Sequence, residues 1–307
     1  MLIEITIHKY ICHGGEMSNQ FLFFKIKLSG GIGDCLRTLS MHKSLYLYNK
    51  NHGLQVFWIY KDDNPNWQHY YTELLNDFIL GRAEFFRHVS EEIYNSLNFT
   101  ELKDMNLLTD LITFDNYSPD DSFGFPVTMN FDERQQLERI YTTNADVNIV
   151  IQINGGVEHK FYQRYKEVCQ LLLEKFPGCR IFLIGSGYIN VDNLLFTEYV
   201  TNLINRINLA QAFNLIQMAD YFIGPDSFGK YARHWSRKKQ TILVSKANLL
   251  DRYVLKNCFK FLTTDPSVTL LGVLPNKDFL IGDEFNDYLI PNINTITPEE
   301  IVNTINL

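Results

Sequence analysis

Twice in this chain, an apolar run of strand length ends in a small group of glycines and is followed by a helical pattern. The first run is Phe21–Leu28, which precedes Ser29-Gly30-Gly31-Ile32-Gly33-Asp34. The second run covers residues 147–153 and precedes Asn154-Gly155-Gly156. A strand, a glycine loop and a helix form the opening of a parallel α/β unit. The repeat therefore predicts two Rossmann-like domains, residues 1–145 and 146–307, joined by a polar stretch at 142–146.

Open parallel sheets bind ligands outside the carboxyl ends of their strands. We therefore expect the ligand site in a cleft between the two domains.

Residues 1–16 are either an upstream extension or an additional edge strand, because the segment that begins at Met17 resembles a natural start of the protein. At the other end, Thr297-Pro298-Glu299-Glu300 predicts a capping box that begins a last helix, which we expect to pack back toward the first domain.

The composition excludes several classes of protein. Hydrophobic residues make up 46% and charged residues 21% of the 307 residues, which is typical of a globular protein with a core. The net charge of −7 argues against general coating of nucleic acid. Five scattered cysteines without a C-x-x-C pair favour reduced thiols over disulfides or zinc. With no signal-peptide pattern and no membrane-spanning run, we expect a cytoplasmic protein, or one in the host cytoplasm if it is viral.

The first glycine loop departs from the dinucleotide fingerprint. Gly31 and Gly33 match its first two glycines, but Leu36 stands where the third should be. A Rossmann oxidoreductase is therefore a weaker alternative. Asp34 either caps the following helix or, at the carboxyl end of a strand facing a cleft, removes a proton from a substrate.

A second loop, Gly224-Pro225-Asp226-Ser227-Phe228-Gly229, follows a short buried strand. Its Asp and Ser are either helix caps or, with the helix N-terminus, part of a diphosphate site. Basic residues then recur at helical spacing, namely Lys230, Arg233, His234 and Arg237. They predict either a solvated basic face or a stripe that contacts an anion. Lys160, shortly after Gly156, is a further phosphate partner or an ordinary surface lysine.

The order of these segments resembles the heptosyltransferase family, glycosyltransferase family nine. That family has a G-x-G-D loop after its first strand, as in residues 31–34, and a downstream lysine in its second domain, as at Lys160. It also has a segment in which A-D and a short hydrophobic run precede G-x-D-[ST], as in residues 219–227 here. The resemblance implies a GT-B fold: two Rossmann-like domains facing a central cleft, with a C-terminal helix that crosses back.

The resemblance also implies roles for residues of this chain. Asp34 would be the general base. The donor, a nucleotide-diphosphate sugar, would be held by Gly31, Gly33, Asn154, Lys160, Gly185, Asp226, Ser227, Phe228, Gly229 and Lys230. Arg37, Arg233 and His234 are further candidates for contacts with the acceptor or an anion. The family's histidine after the Asp-Ser pair is missing, with Lys230 and Tyr231 around its place.

The resulting expectation is an inverting glycosyltransferase without a metal or a bound cofactor. Its acceptor would be a hydroxyl of a surface glycan or of a lipid-linked precursor. One alternative keeps the chemistry but uses a hydroxymethylated DNA base as acceptor. Another is a module that binds nucleotide sugars without catalysis. The adjacent pairs Asp62-Asp63 and Asp120-Asp121 are interpreted as solvated turns and not as metal ligands.

Overall fold

In a computed structural model of the chain, the described residues are 5–10, 21–28, 31–33, 35, 54–61, 68, 72, 75, 86–96, 129–141, 145–156, 160–187, 197–234, 236, 238–246, 266–274 and 289–306. The chain forms two compact units, Met1–Val127 and Thr128–Leu307. Within the described ranges, no helix is long and apolar enough to cross a membrane.

The first unit contains strands β1 (Ile5–Tyr10), β2 (Phe21–Leu28), β3 (Leu54–Tyr60) and β4 (Phe86–His88), and helix α1 (Glu91–Ser96). The strands pair in the order β1-β2-β3-β4. Strand β1 is antiparallel to β2, whereas β2, β3 and β4 are parallel. Residues 5–10 thus form an additional strand beside β2, which is one of the two interpretations of the N-terminal segment.

The second unit has six strands: β5 (Val147–Gln152), β6 (Cys179–Ile184), β7 (Val200–Asn202), β8 (Tyr221–Pro225), β9 (Gln240–Leu243) and β10 (Val268–Leu271). They form one sheet in the order β10-β9-β8-β5-β6-β7, and every pair is parallel. Counted from β5, this is the strand order 3-2-1-4-5-6 of the Rossmann fold. The prediction of a Rossmann-like second half is confirmed.

Helices of the second unit are α2 (Phe131–Tyr141), α3 (Tyr165–Lys175), α4 (Leu209–Met218), α5 (Phe228–His234) and α6 (Pro298–Asn303). Helix α2 belongs to this unit because it packs on α4: Gln211 Nε2 donates to Glu133 O at 3.1 Å, and Tyr141 OH donates to Met218 O at 3.1 Å. The second unit therefore begins at Thr128, whereas the sequence analysis begins the second domain at residue 146.

The core of the second unit explains why its strands are almost continuously apolar. Strands covered on both faces bury every side chain instead of alternate ones. On one face, five strands and two helices contribute to one cluster, whose members include the following, each at most 5% exposed: Ile149, Ile151, Ile181, Leu183, Val200, Tyr221, Ile223, Leu243, Val168, Leu172, Ile301 and Val302. On the other face, Val150, Phe182 and Phe222 are fully buried.

The last helix, α6, is capped as the sequence predicts. Thr297 Oγ1 accepts from Glu300 N at 3.2 Å, and Glu300 Oε2 accepts from Thr297 N at 2.6 Å. Within its own unit, α6 packs on the core. It lies against α3, and Lys175 Nζ donates to Val302 O at 2.9 Å. The apolar face formed by Ile301 and Val302 therefore completes the core of its own unit.

Candidate functional site

The strand order of the second sheet reverses between β5 and β8, its two central strands. From β5 the chain continues to β6 on one side, and from β8 it continues to β9 on the other side. Ile151 pairs with Ile223, so the segments after Gln152 and after Pro225 leave the sheet side by side. The carboxyl ends at such a switch point are where open α/β sheets bind ligands. Both predicted donor-binding loops of this domain begin there.

Three charged side chains meet at this switch point. The carboxylate of Asp226 accepts a hydrogen bond from Lys230 Nζ through Oδ1, and Lys160 Nζ lies 3.8 Å from its Oδ2. The side chain of Lys230 is only 3% exposed and that of Asp226 17%, whereas that of Lys160 is 30% exposed. We call these three residues the lysine–aspartate cluster. Two ammonium groups share one carboxylate, so the cluster carries a net positive charge beside Ser227.

A buried amide lies beneath Ser227. Gln152, the last residue of β5, is 3% exposed. Its Nε2 donates to Ser227 Oγ at 3.0 Å and to Asn154 O at 2.7 Å. Its Oε1 is buried without a hydrogen-bond partner. Gln152 thus connects the loop after β5 with the loop after β8.

Glycines allow α5 to approach this amide closely. A Cβ on Gly229 would lie 2.3 Å from Gln152 Oε1 and 2.4 Å from Phe222 Cζ, and a Cβ on Gly224 would lie 2.7 Å from Phe222 Cζ. Atoms cannot approach so closely, so these positions require glycine for packing. Gly229, which the sequence analysis places in the sugar-donor site, therefore also has a structural role, because it packs against Gln152 and Phe222 of the sheet.

Asn154 and Gly185 fasten neighbouring loops to one another. Asn154 Nδ2 donates to Ser186 O at 2.7 Å, and its Oδ1 accepts from Ser186 N at 3.3 Å. Gly185 O accepts from Asn205 N at 3.1 Å. The loops after β5 and β6, and the turn after β7, are thereby held together at the carboxyl edge of the sheet.

Arg233 does not belong to a stripe that contacts anions, in contrast to the sequence-based prediction. It is 0% exposed, and its guanidinium donates to the backbone oxygens of Ile216, Ala219, Asp220 and Lys239. Three of these oxygens lie in or just after the last turn of α4, where helix carbonyls lack partners within the helix. Burial lowers the pKa of Arg233 to about 10, which leaves it charged at neutral pH. Its charge serves the fold.

In the first unit, the structure describes only part of the predicted site. Gly31 follows β2 and is exposed, and Cys35 N donates to Gly31 O at 3.2 Å. This helical hydrogen bond places the beginning of a helix at the glycine loop, as expected. Outside the described residues lie Asp34 and Arg37 of this unit and the side chain of His234 of the second unit. Among the residues that are described, no group of three or more His, Cys, Asp or Glu side chains could hold a metal ion.

Sequence reasoning missed Gln152 as part of this site. The available signal was a glutamine in the otherwise apolar run Ile149-Val150-Ile151-Gln152-Ile153. A polar side chain in a strand buried on both faces needs hydrogen bonds. Its partner, Ser227, lies 75 residues further along the chain.

Fold and site together define a class: an α/β protein whose second unit has the Rossmann strand order and a cationic cluster at the switch point. Comparisons with known proteins specify the fold further. No protein-family model matches the sequence, and no curated protein matches it. Solved structures do match.

The family 9 glycosyl transferase of Veillonella parvula DSM 2008 matches with a TM-score of 0.58 and 12% identity, covering 95% of this chain and 97% of that chain. ADP-heptose LPS heptosyltransferase II of E. coli matches with a TM-score of 0.49 and 12% identity, covering 90% of this chain and 96% of that chain. The first similarity extends over nearly the whole chain. It confirms the GT-B type of fold and, at the level of three-dimensional structure, the resemblance to glycosyltransferase family nine.

Proposed function

We propose that the chain is a glycosyltransferase that moves a sugar from a nucleotide-diphosphate sugar to an acceptor hydroxyl. The observation that carries the proposal is the lysine–aspartate cluster beside Ser227, at the switch point of a Rossmann-type sheet. The fold similarity to a family 9 glycosyl transferase supports it.

The donor diphosphate is the ligand whose chemistry fits this cluster. Its negative charge requires cations and hydrogen-bond donors. Lys160 and Lys230 supply two ammonium groups against the single carboxylate of Asp226. The more exposed Lys160 is the lysine that can move onto a phosphate oxygen. The buried Lys230 remains bound to Asp226 and holds that carboxylate in place. The carboxylate can then accept a hydrogen bond from a hydroxyl of the donor sugar.

In the proposed reaction, the acceptor oxygen attacks the anomeric carbon and forms the new C–O bond. The bond from the anomeric carbon to the diphosphate oxygen breaks, and the nucleoside diphosphate leaves with the electron pair. Lys160 stabilises the charge that develops on this leaving group. Asp34 is proposed to take the proton of the acceptor hydroxyl. Attack from the face opposite the leaving group inverts the anomeric configuration.

The acceptor in this proposal is a glycan or a lipid-linked precursor, and the reaction uses no metal, since Lys160 stabilises the charge of the leaving group instead. The use of Asp34 as the general base is part of the same proposal. A hydroxymethylated DNA base as acceptor, or binding without transfer, would keep the donor site unchanged.

Thermal-shift titration with ADP, GDP, UDP, CDP and dTDP tests the donor site, because a ligand bound only by the folded state raises the melting temperature. We expect at least one nucleotide to bind. Lys160→Met should weaken that binding about 10-fold or more, the usual value of a charge-assisted hydrogen bond. The matched control is Lys166→Met, which removes the same charge from an exposed position on α3. Equal affinity of the two variants would show that the donor site has been misplaced.

A further inference from the structure

We propose that Gln152 is a positioning residue that directs the hydroxyl proton of Ser227 toward the donor diphosphate. The inference rests on the proposed function and adds to it a residue that does not contact the ligand. It derives from three features of the buried amide: its orientation, its unused oxygen and its location beneath Ser227.

The orientation of the amide is determined by Asn154. Gln152 Nε2 lies 2.7 Å from Asn154 O, a backbone oxygen that can only accept a hydrogen bond. The opposite orientation would place Gln152 Oε1 against that carbonyl, so two acceptors would face each other. The NH₂ group therefore faces Asn154, and its second proton is directed at Ser227 Oγ, 3.0 Å away.

The direction of this hydrogen bond decides what Ser227 can do. A serine hydroxyl has one proton to donate and two lone pairs that accept. Since Gln152 Nε2 is a donor, the Ser227 oxygen must accept from it, and the serine proton is left for another acceptor. Phosphate oxygens are such acceptors and have no proton to offer when ionised. Ser227 can therefore donate its proton to a diphosphate oxygen.

The amide of Gln152 uses its nitrogen but not its oxygen. Its Oε1 is buried without a hydrogen-bond partner, which is unfavourable in a folded protein. An apolar side chain of the same length would avoid that cost. Gly229 packs closely on this oxygen, since a Cβ there would lie 2.3 Å from Oε1. The structure thus retains an unfavourable group that holds one donor on Ser227.

The test is a double-mutant cycle that measures nucleoside-diphosphate affinity. Gln152→Met keeps the length of the side chain and removes its donor, Ser227→Ala removes the hydroxyl, and the double variant removes both. With the nucleotide that the wild-type protein binds most tightly, we expect Gln152→Met to weaken binding about three- to tenfold. In the Ser227→Ala background the same change should have no further effect, because Gln152 acts through the hydroxyl.

The matched control is Gln240→Met. Gln240 is 0% exposed and is the first residue of β9, so it lies at the amino ends of the strands, away from the carboxyl ends where the candidate site lies. Neither the oxygen nor the nitrogen of its amide has a hydrogen-bond partner. This control should leave nucleotide affinity unchanged. If Gln152→Met does not fold, Gln152→Glu replaces it. The carboxylate of this variant accepts the hydrogen bond from the Ser227 hydroxyl, so the proton is no longer available to the ligand. We expect Gln152→Glu to weaken nucleotide binding more than tenfold in the wild-type background and by a smaller factor in the Ser227→Ala background.

The outcomes separate the two proposals. If the wild-type protein binds none of the five nucleoside diphosphates, the proposed function fails and this inference fails with it. If the wild-type protein binds a nucleotide and Gln152→Met binds it equally well, only the positioning role of Gln152 is overturned. Additive losses in the double variant would also overturn it, because Gln152 would then act independently of the Ser227 hydroxyl.

Discussion

The substitution Gly229→Ala tests how tightly α5 packs on the candidate site. The new Cβ would lie 2.3 Å from Gln152 Oε1 and 2.4 Å from Phe222 Cζ. Gln152 is 3% exposed and Phe222 0%, so neither side chain can move into solvent. Overpacking of this kind costs about 1–3 kcal/mol of unfolding free energy. For a unit of this size, each kcal/mol lowers the melting temperature by roughly 2–4 °C.

The matched control for this prediction is Gly156→Ala, in the loop after β5. A Cβ at Gly156 would have no atom within 4 Å, and its φ is not positive. We expect the free energy of unfolding of this variant to stay within about 0.5 kcal/mol of wild type. Urea unfolding of both variants, followed by circular dichroism, measures the difference. Equal stability of the two alanine variants would refute the close packing of Gly229 on Gln152.

Three further predictions concern single residues. Arg233→Met should destabilise the protein by about 3 kcal/mol or more in urea unfolding, because several buried carbonyls lose their donor; loss of nucleotide affinity at unchanged stability would instead indicate an anion contact. Burial raises the pKa of the Cys169 thiol to about 12 and that of Cys179 to about 11. Both should resist alkylation at pH 8 in peptide mapping. The unfolded thiols ionise near pH 9, so the contribution of these groups to stability should decline as pH rises above that value; rapid alkylation of the native protein would contradict their burial. Asp34→Asn should keep the melting temperature and the donor affinity while turnover falls roughly 10²–10⁴-fold; an active variant would end the assignment of Asp34 as base.

The sequence was sufficient to predict the parts of the fold that depend on local patterns. A mainly apolar run identified the strand at 21–28 with its observed bounds. The capping box at Thr297 likewise depends on residues three positions apart. These features follow from burial and from hydrogen bonds between near neighbours, which a single sequence displays.

The fate of the basic residues on α5 could not be predicted in this way. Helical spacing places Lys230 and Arg233 on one face, but spacing does not reveal whether that face meets solvent, a ligand or the core. Arg233 is buried because unpaired carbonyls of residues 216–220 lie within its reach. Lys230 is buried because Asp226 accepts its ammonium group. Both explanations need contacts that only the folded chain brings together, as does the pairing of Gln152 with Ser227.

A crystal structure of the protein with its tightest-binding nucleoside diphosphate would test the central claim most directly. The account predicts that the diphosphate lies at the switch point between β5 and β8. Its phosphate oxygens should be within hydrogen-bond distance of Ser227 Oγ and Lys160 Nζ, with Gln152 Nε2 still donating to Ser227. A nucleotide bound elsewhere on the protein, with Lys160 still on Asp226 and no phosphate near Ser227, would contradict the account.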